Sequence, residues 1–303
     1  MKYAVYKLEF ISGVHFGTGV LNESGISFCA DTLFSALYME AMKLGAAEEF
    51  YTQAQAGKLL FSDAFPYIGD QYFLPKPMLY VEPKEKGNSV DKKFYKKLKY
   101  LSSDQIQSFL SGTLQKEDCC LQEPGKEESQ IMAAVRNEGE DTLPYHLGNY
   151  RFGDGNGLYI IAAYEEENDK MLLEELLESL SYAGIGGKRS SGKGRFTLKY
   201  GKHAESLLKI LEQRTGRYML LSSALPREDE LDQTVESATY LLQKRSGFVA
   251  SADYADEQRK KKDMYTMQAG SCFQYPFSGD IYDVSDGGAH PVYRYAKALF
   301  LEV

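Results

Sequence analysis

The stretch AGIGGKRSSGKGRFT, residues 183–197, decides how this chain is read. Upstream of it, Leu172, Leu173, Leu176, Leu177 and Leu180 recur at helical spacing from about Asp169 to Tyr182, with acids between them, and Gly184 ends the helix. Downstream, Phe196 to Tyr200 reads as a strand. The connector carries glycines at 184, 186, 187, 192 and 194, with Lys188, Arg189, Ser190, Ser191, Lys193 and Arg195 in the gaps. Glycine lets a backbone approach a ligand closely and adopt positive φ, and exposed N–H groups in such a loop form a nest for anions. Cations and hydroxyls complete the chemistry of a phosphate or RNA-backbone site. The bland alternative is a basic helix-to-strand connector. A Walker loop does not fit, because that motif runs from strand to helix and needs Ser or Thr after its lysine, where this chain has Gly194. A nucleotide-binding enzyme using residues 184–195 remains an alternative that ATP titration tests.

Working outward, Tyr3 to Phe10 alternates as a strand does, and His15-Phe16-Gly17-Thr18-Gly19 reads as a turn. Asp31 is expected to N-cap a helix through Leu44, with Leu33, Leu37, Ala41 and Leu44 on one face and Gly45 at its end. Short strands are expected at 59–61 and 72–74, around a loop containing Pro66 and Gly69, and another from Leu158 to Tyr164. The order β-α-β-β-α-β predicts an α+β fold with a ferredoxin-like (RRM-like) first domain, residues 1–205. Residues 84–147 interrupt it. They open with KEKGNSVDKKFYKKLKY, continue as an acidic, polar segment, and show little core signal, so they are expected to protrude as a thumb. Its tip is expected near Met132 to Thr142, where Arg136-Asn137-Glu138-Gly139 reads as a turn, with Met132 or Val135 as a wedge. In the second half, Tyr218–Leu225, Thr239–Leu242, Phe248–Ala250, Met264–Met267, Ser271–Tyr275 and Ala298–Val303 read as strands, and Lys244-Arg245-Ser246-Gly247 as a turn. Residues 206–303 are expected to form a second, smaller ferredoxin-like domain.

The net charge of −8 over 303 residues argues against a nucleic-acid partner when taken as an average. The average hides segregation. Residues 184–202 hold six cations and no acid, whereas 165–178 hold seven acids and one lysine. One face can take RNA while another meets protein; two solvated faces is the plain alternative. No apolar run reaches the roughly 20 residues a bilayer span needs, so no membrane contact is expected. The N-terminus lacks a signal-peptide core, so a cytoplasmic location is expected. Cys29, Cys119, Cys120 and Cys272 form no CxxC pair and the histidines are scattered, so neither zinc nor another cofactor is expected. His15 beside a glycine turn is a candidate acid for an RNase, against a structural or RNA-contacting role. Asp63, Asp154 and Asp280 read as turn residues. Tyr293 and Tyr295 flank Arg294 and are candidates for base stacking.

A glycine-rich basic loop between the second helix and fourth strand of a ferredoxin-like domain resembles the RAMP proteins of CRISPR systems. HFGTG (15–19) with ISFCADTLFSALY (26–38), YRFGDGNGLYII (150–161), YLLQKRSGFVAS (240–251), KKKDMYTMQAGSCF (260–273) and HPVYRYAKALFLEV (290–303) are similar to one Csm-family subunit of type III-A effector complexes, the one that binds the 5′ handle of the crRNA. The resemblance runs from about 3 to 303, with little from 84–130. Ala296 departs from it, standing where relatives usually carry glycine. It implies a non-catalytic scaffold whose partners are the crRNA 5′ handle, the large Palm-domain subunit and the backbone RAMP subunit, with target RNA met indirectly. The RNA contacts expected are His15, Gly186, Gly187, Lys188, Arg189, Ser190, Ser191, Lys193 and Arg195, joined in one cleft by Lys244 and Arg245, whose turn again pairs charge with a flexible backbone, with Arg136 on the thumb. The backbone subunit of such complexes cuts RNA with an aspartate in a region comparable to Asp31, for which capping is the preferred reading here. The enzymatic alternative is a RAMP endoribonuclease that processes crRNA precursors.

Overall fold

A computed structural model describes residues 1–82, 84, 89–119, 122–134, 143–201, 204–251 and 253–303. In chain order its elements are β1 (Lys2–Phe10), α1 (Ala30–Leu44), α2 (Ala47–Gln55), β2 (Leu59–Phe61), β3 (Phe65–Ile68), β4 (Gln71–Pro75), α3 (Ser89–Lys97), β5 (Tyr100–Ser102), α4 (Ile106–Leu110), β6 (Gly125–Ala134), β7 (Leu143–Phe152) and β8 (Asn156–Tyr164). They continue with α5 (Glu167–Ala183), β9 (Phe196–Tyr200), α6 (Glu205–Leu211), β10 (Tyr218–Leu220), α7 (Leu231–Val235), β11 (Leu242–Arg245), β12 (Met264–Met267), β13 (Cys272–Phe273), β14 (Gly279–Asp283), β15 (Tyr293–Lys297) and β16 (Phe300–Glu302).

The main sheet runs β5-β4-β3-β8-β1-β9, with β2 also paired to β8, and its pairings are antiparallel. All nine residues of β8 are buried, because both faces of this central strand are covered. The period of two splits them cleanly. Leu158, Ile160, Ala162 and Tyr164 join Tyr6 and Leu8 under α1, α2 and α5. Tyr159, Ile161 and Ala163 join Val5 on the opposite face. The apolar run from Leu158 to Tyr164 is thus that of a strand buried on both sides.

That second face carries the largest departures from the sequence reading. Leu101, Ile106, Leu114 and Cys119, inside the expected thumb, pack there, as do Leu207, Leu211, Met219 and Leu301 from the C-terminal part. Lysines and turns dilute these apolar residues below the level that marks a core segment. The part of 84–147 that does form a separate element is the β6–β7 hairpin, whose strands pair with each other from Gly125↔Phe152 to Ala134↔Leu143. Of the expected tip, Met132 lies in β6 opposite Tyr145, and 135–142, with Val135 and Arg136, lie outside the described residues.

Two further expectations shift. Pro66 lies within strand β3, opposite Leu158 of β8, and the turn is confined to Gly69 and Asp70. The C-terminal residues form a three-stranded sheet, β13-β10-β16, with hairpins β11–β12 and β14–β15. Hairpin β14–β15 does not stay in a C-terminal core. Tyr295 is fully buried against Phe34 and Phe61 in the first core, its hydroxyl accepting the Phe61 N–H at 3.1 Å.

Candidate nucleic-acid interface

The glycine loop sits where three segments meet. Gly184 closes α5 at φ 78°, and Ile185 turns back into the core, its N–H donating to the Gly194 carbonyl at 3.0 Å. Gly187 N–H donates to the His15 carbonyl at 2.8 Å, and Gly194 N–H to the Gly13 carbonyl at 3.1 Å. A Cβ on Gly186 would lie 2.8 Å from the His15 carbonyl oxygen, and one on Gly187 2.8 Å from the His15 ring. These two glycines therefore permit packing on residues 13–16, a reason other than the close approach to phosphate expected of them. Gly192 differs: at φ 78° it has open space around it.

His15 is likewise a structural residue. It is buried, and its Nδ1 lies 2.7 Å from the Gly148 carbonyl of β7. This ties the turn after β1 to the base of the β6–β7 hairpin, next to the Val14↔Tyr150 bridge. With its ring buried on this carbonyl, His15 makes a structural contact, one of the roles weighed for it from the sequence.

The cations of the loop point the other way. Lys188 adopts φ 58°, a left-handed conformation uncommon for a non-glycine residue, and its Nζ lies 5.4 Å from the centre of the Tyr145 ring on β7. Arg189 reaches along α1 to Met39. Lys188, Arg189 and Ser190 line a shallow cleft of about 520 Å³ with Lys43 of α1. Lys193 lies on the other flank, beside Glu128, Asn149 and Arg151 of the hairpin. Ser190, Ser191 and Arg195 are exposed. Among the described residues, none of Lys188, Arg189, Lys193 and Arg195 is in an ion pair, and the hydrogen bond that Lys188 makes goes to a tyrosine hydroxyl.

Lys244 and Arg245 behave differently. They belong to strand β11, paired to β12, and not to a turn. Lys244 Nζ is 2.6 Å from Asp263. Arg245 donates through Nε and Nη2 to both carboxylate oxygens of Asp31, at 3.0 and 2.6 Å. Arg294 donates to the same carboxylate at 2.6 Å. Arg245 is thus withdrawn from the phosphate-binding role expected of it, and Asp31 from the capping role. The helix begins two residues earlier, at Ala30 with Cys29 as its N-cap, and the Ala30 N–H donates to Asp63 Oδ1 at 2.7 Å. Asp63 also accepts the Ser223 N–H and hydroxyl at 2.8 and 2.7 Å, so it is a bridge between the halves of the chain and not a turn residue.

The two carboxylates differ electrostatically. Burial works against ionisation of Asp31, but Arg245 and then Arg294 outweigh it and hold the carboxyl below its ordinary range. Arg245, with the bidentate contact, is pushed up; Arg294 is eased down by burial and by Arg245 beside it. Burial pushes Asp63 up to about 6 against its three donors. Tyr295 is in the core, which removes it as a stacking platform, and Tyr293 packs tilted against Tyr51 with ring centroids 4.5 Å apart. Among the described residues no three His, Cys, Asp or Glu side chains converge as a metal site requires. No helix among them is long and apolar enough to cross a membrane.

Comparison with known proteins adds the lineage. The family model of the CRISPR Csm4 C-terminal domain matches residues 213–303. The CRISPR system Cms protein Csm4 of Mycobacterium tuberculosis is 39% identical over 303 residues, covering 99% of this chain and 98% of the relative. Csm4 of Streptococcus thermophilus is 35% identical, covering 100% and 99%. A solved Csm3–Csm4 subcomplex of a type III-A CRISPR-Cas interference complex contains a chain that matches with a TM-score of 0.67 at 18% identity, covering 100% of this chain and 99% of that one. A chain of a Csm1–Csm4 cassette solved with cA4 matches with a TM-score of 0.65 at 20% identity, covering 100% and 98%. At 35–39% identity over nearly the whole of both chains, this chain belongs to the Csm4 family.

Proposed function

We propose that this Csm4-family chain is a non-catalytic crRNA-binding scaffold of a type III-A Csm interference complex. It grips the 5′ repeat-derived handle with the glycine loop and bridges the large subunit to the backbone subunits. The observation that carries the reading is a loop whose four cations have no ion-pair partner among the described residues, on a chain of net charge −8. In such a chain unneutralised cations are held back for an external anion. Csm1 and Csm3, which stand beside Csm4 in the solved assemblies, are the partners the reading assigns to the large and backbone positions.

The finer architecture belongs to the same proposal. Strand order β9-β1-β8-β3, with α1 and α5 as the two connecting helices, supports a ferredoxin-like first unit. Residues 206–303 form a second, less regular one, and the β6–β7 hairpin is the thumb. The non-catalytic reading draws on the two groups best placed for acid–base work: Asp31 is locked between two arginines and His15 is buried on a carbonyl.

The test is filter binding of handle RNA, over a salt series, to the chain assembled with its partner subunits. In a Lys188→Ala, Arg189→Ala, Lys193→Ala variant the log–log salt slope should fall by about 2, at roughly 0.7 for each single-strand phosphate that is no longer neutralised. An unchanged slope and affinity would reduce the loop to a connector. Cleavage of repeat RNA by the purified chain would favour the endoribonuclease instead.

A further inference from the structure

Hairpins β11–β12 and β14–β15 both carry long connections at their tips, residues 246–263 and 284–292. The two tips pack on each other. Val249, Tyr254, Val284 and Val292 form a small core of their own, edged by Ala255 and Met264, that shares no residue with the three larger clusters. We infer that these tips form one lobe that opens and closes as a unit on the hairpin stems, and that the Asp31 carboxylate is the latch that holds it shut.

Hydrogen bonds make the tips a unit. Lys262 N–H donates to the Val284 carbonyl at 2.8 Å, and Ala289 N–H to the Tyr254 carbonyl at 2.9 Å, so each tip holds the other. The Tyr254 hydroxyl accepts the Asp286 N–H, and His290 Nε2 lies 2.9 Å from the Ser251 hydroxyl. Gly288 passes so close to Tyr254 that a Cβ there would stand 2.0 Å from the ring. Among the described residues, the hydrogen bonds and ion pairs of both tips stay within the lobe or reach Lys244 and Asp283 on the stems.

The latch sits at both necks. Arg245 is the last residue of β11 and Arg294 the second of β15, and both donate to Asp31 on α1. One carboxylate therefore ties both stems to the first half of the chain just where the tips begin. The tie carries charge left over. Two guanidiniums share one carboxylate, Lys261 of the lobe is near enough to act on all three charges, and the buried Nε of Arg294 has no hydrogen-bond partner. Cations gathered on one counterion hold less firmly than a matched pair. Gly247, two residues past Arg245, adopts φ 137° with open space around it, which suits a hinge. A lobe with four buried apolar residues lies at the low end of the stabilities found within one fold. Arg259, Lys260 and Lys262 are exposed on it, so its position sets where their charge is presented.

The test is amide hydrogen exchange on the full chain. In wild type the amides of Val249, Lys261, Lys262, Val284 and Ala289 should share one protection factor, lower than that of β1 and β8. Asp31→Asn should lower it about ten-fold in all five, the scale of one lost hydrogen bond to a charged group, and by more than in β8. Arg245 is part-exposed, so Arg245→Gln carries the test if Asp31→Asn does not fold. It touches the first neck alone, yet should loosen both tips equally. Loosening of one tip without the other would overturn the unit, as would tips protected as well as β8 in wild type. Tips left unchanged by the variants, or loosened no more than β8, would overturn the latch.

Discussion

Two segments of this chain look alike in sequence, each placing lysine and arginine beside serine and glycine: Gly187-Lys188-Arg189-Ser190 and Lys244-Arg245-Ser246-Gly247. Folded, they are opposites. The first keeps its cations clear of carboxylates at the edge of a cleft. The second spends Arg245 on the buried Asp31 and pairs Lys244 with Asp263. The difference is made by what lies opposite. Lys188 and Arg189 face a tyrosine and a methionine, whereas β11 faces the N-terminus of α1 with its carboxylate. Basic composition near a flexible backbone therefore reports available charge only where no acid has been folded against it.

The largest test of this contrast is stability. Asp31→Ala leaves Arg245 and Arg294 buried without a counterion, and should cost about 3–5 kcal/mol in chemical unfolding. The Lys188, Arg189, Lys193 triple alanine variant should stay within about 0.5 kcal/mol per site, as surface changes do. Similar losses from the two would erase the distinction. Replacing the whole Asp31, Arg245 and Arg294 set by apolar residues of matching volume should recover most of the loss, since the desolvation cost leaves together with the attraction.

A second test separates the segments by RNA binding. Lys244→Ala removes a cation already neutralised by Asp263, so the salt slope for handle RNA should not move, against a drop of about 0.7 for Lys193→Ala. Equal drops would return Lys244 to the RNA surface and weaken the contrast.

Acid titration gives a third. The folded carboxyl of Asp31 is held below its unfolded value of about 3.9. Its contribution is therefore complete above that value and is lost as pH falls through the depressed one. Subtracting the Asp31→Asn unfolding profile from that of wild type should show this loss confined to the acid limb. A difference that instead grew toward neutral pH would contradict the assignment.

The smallest expected effect lies within the loop. Gly186→Ala, at φ 98° with the His15 carbonyl in its way, should cost about 1–3 kcal/mol. Gly192→Ala, with open space around it, bears only the backbone penalty and should cost about 1 kcal/mol. Equal costs would remove packing on His15 as the reason for Gly186.

Sequence alone reaches those features whose physics is short-range. Strands β1, β8 and β9 and helices α1 and α5 are legible because periodicity and the glycine stops at 45 and 184 are local signals. The glycine loop is legible because its composition has few other uses. Helix α2 leaves little trace in the sequence, because it carries only two fully buried residues, Phe50 and Ala54, and no side-chain cap.

Tertiary structure alone decided where each charge goes. Asp31 reads as a helix cap because a cap is the nearest use for an aspartate before an apolar periodic run. Its partners, Arg245 and Arg294, lie 214 and 263 residues away. His15 is left between a structural and an RNA-contacting role by the sequence, and its partner, the Gly148 carbonyl, lies 133 residues on. Periodicity, composition and glycine placement act over a few residues and survive in a linear reading. Neutralisation, burial and hydrogen-bond satisfaction depend on what the fold brings within about 4 Å, and no local pattern carries that information.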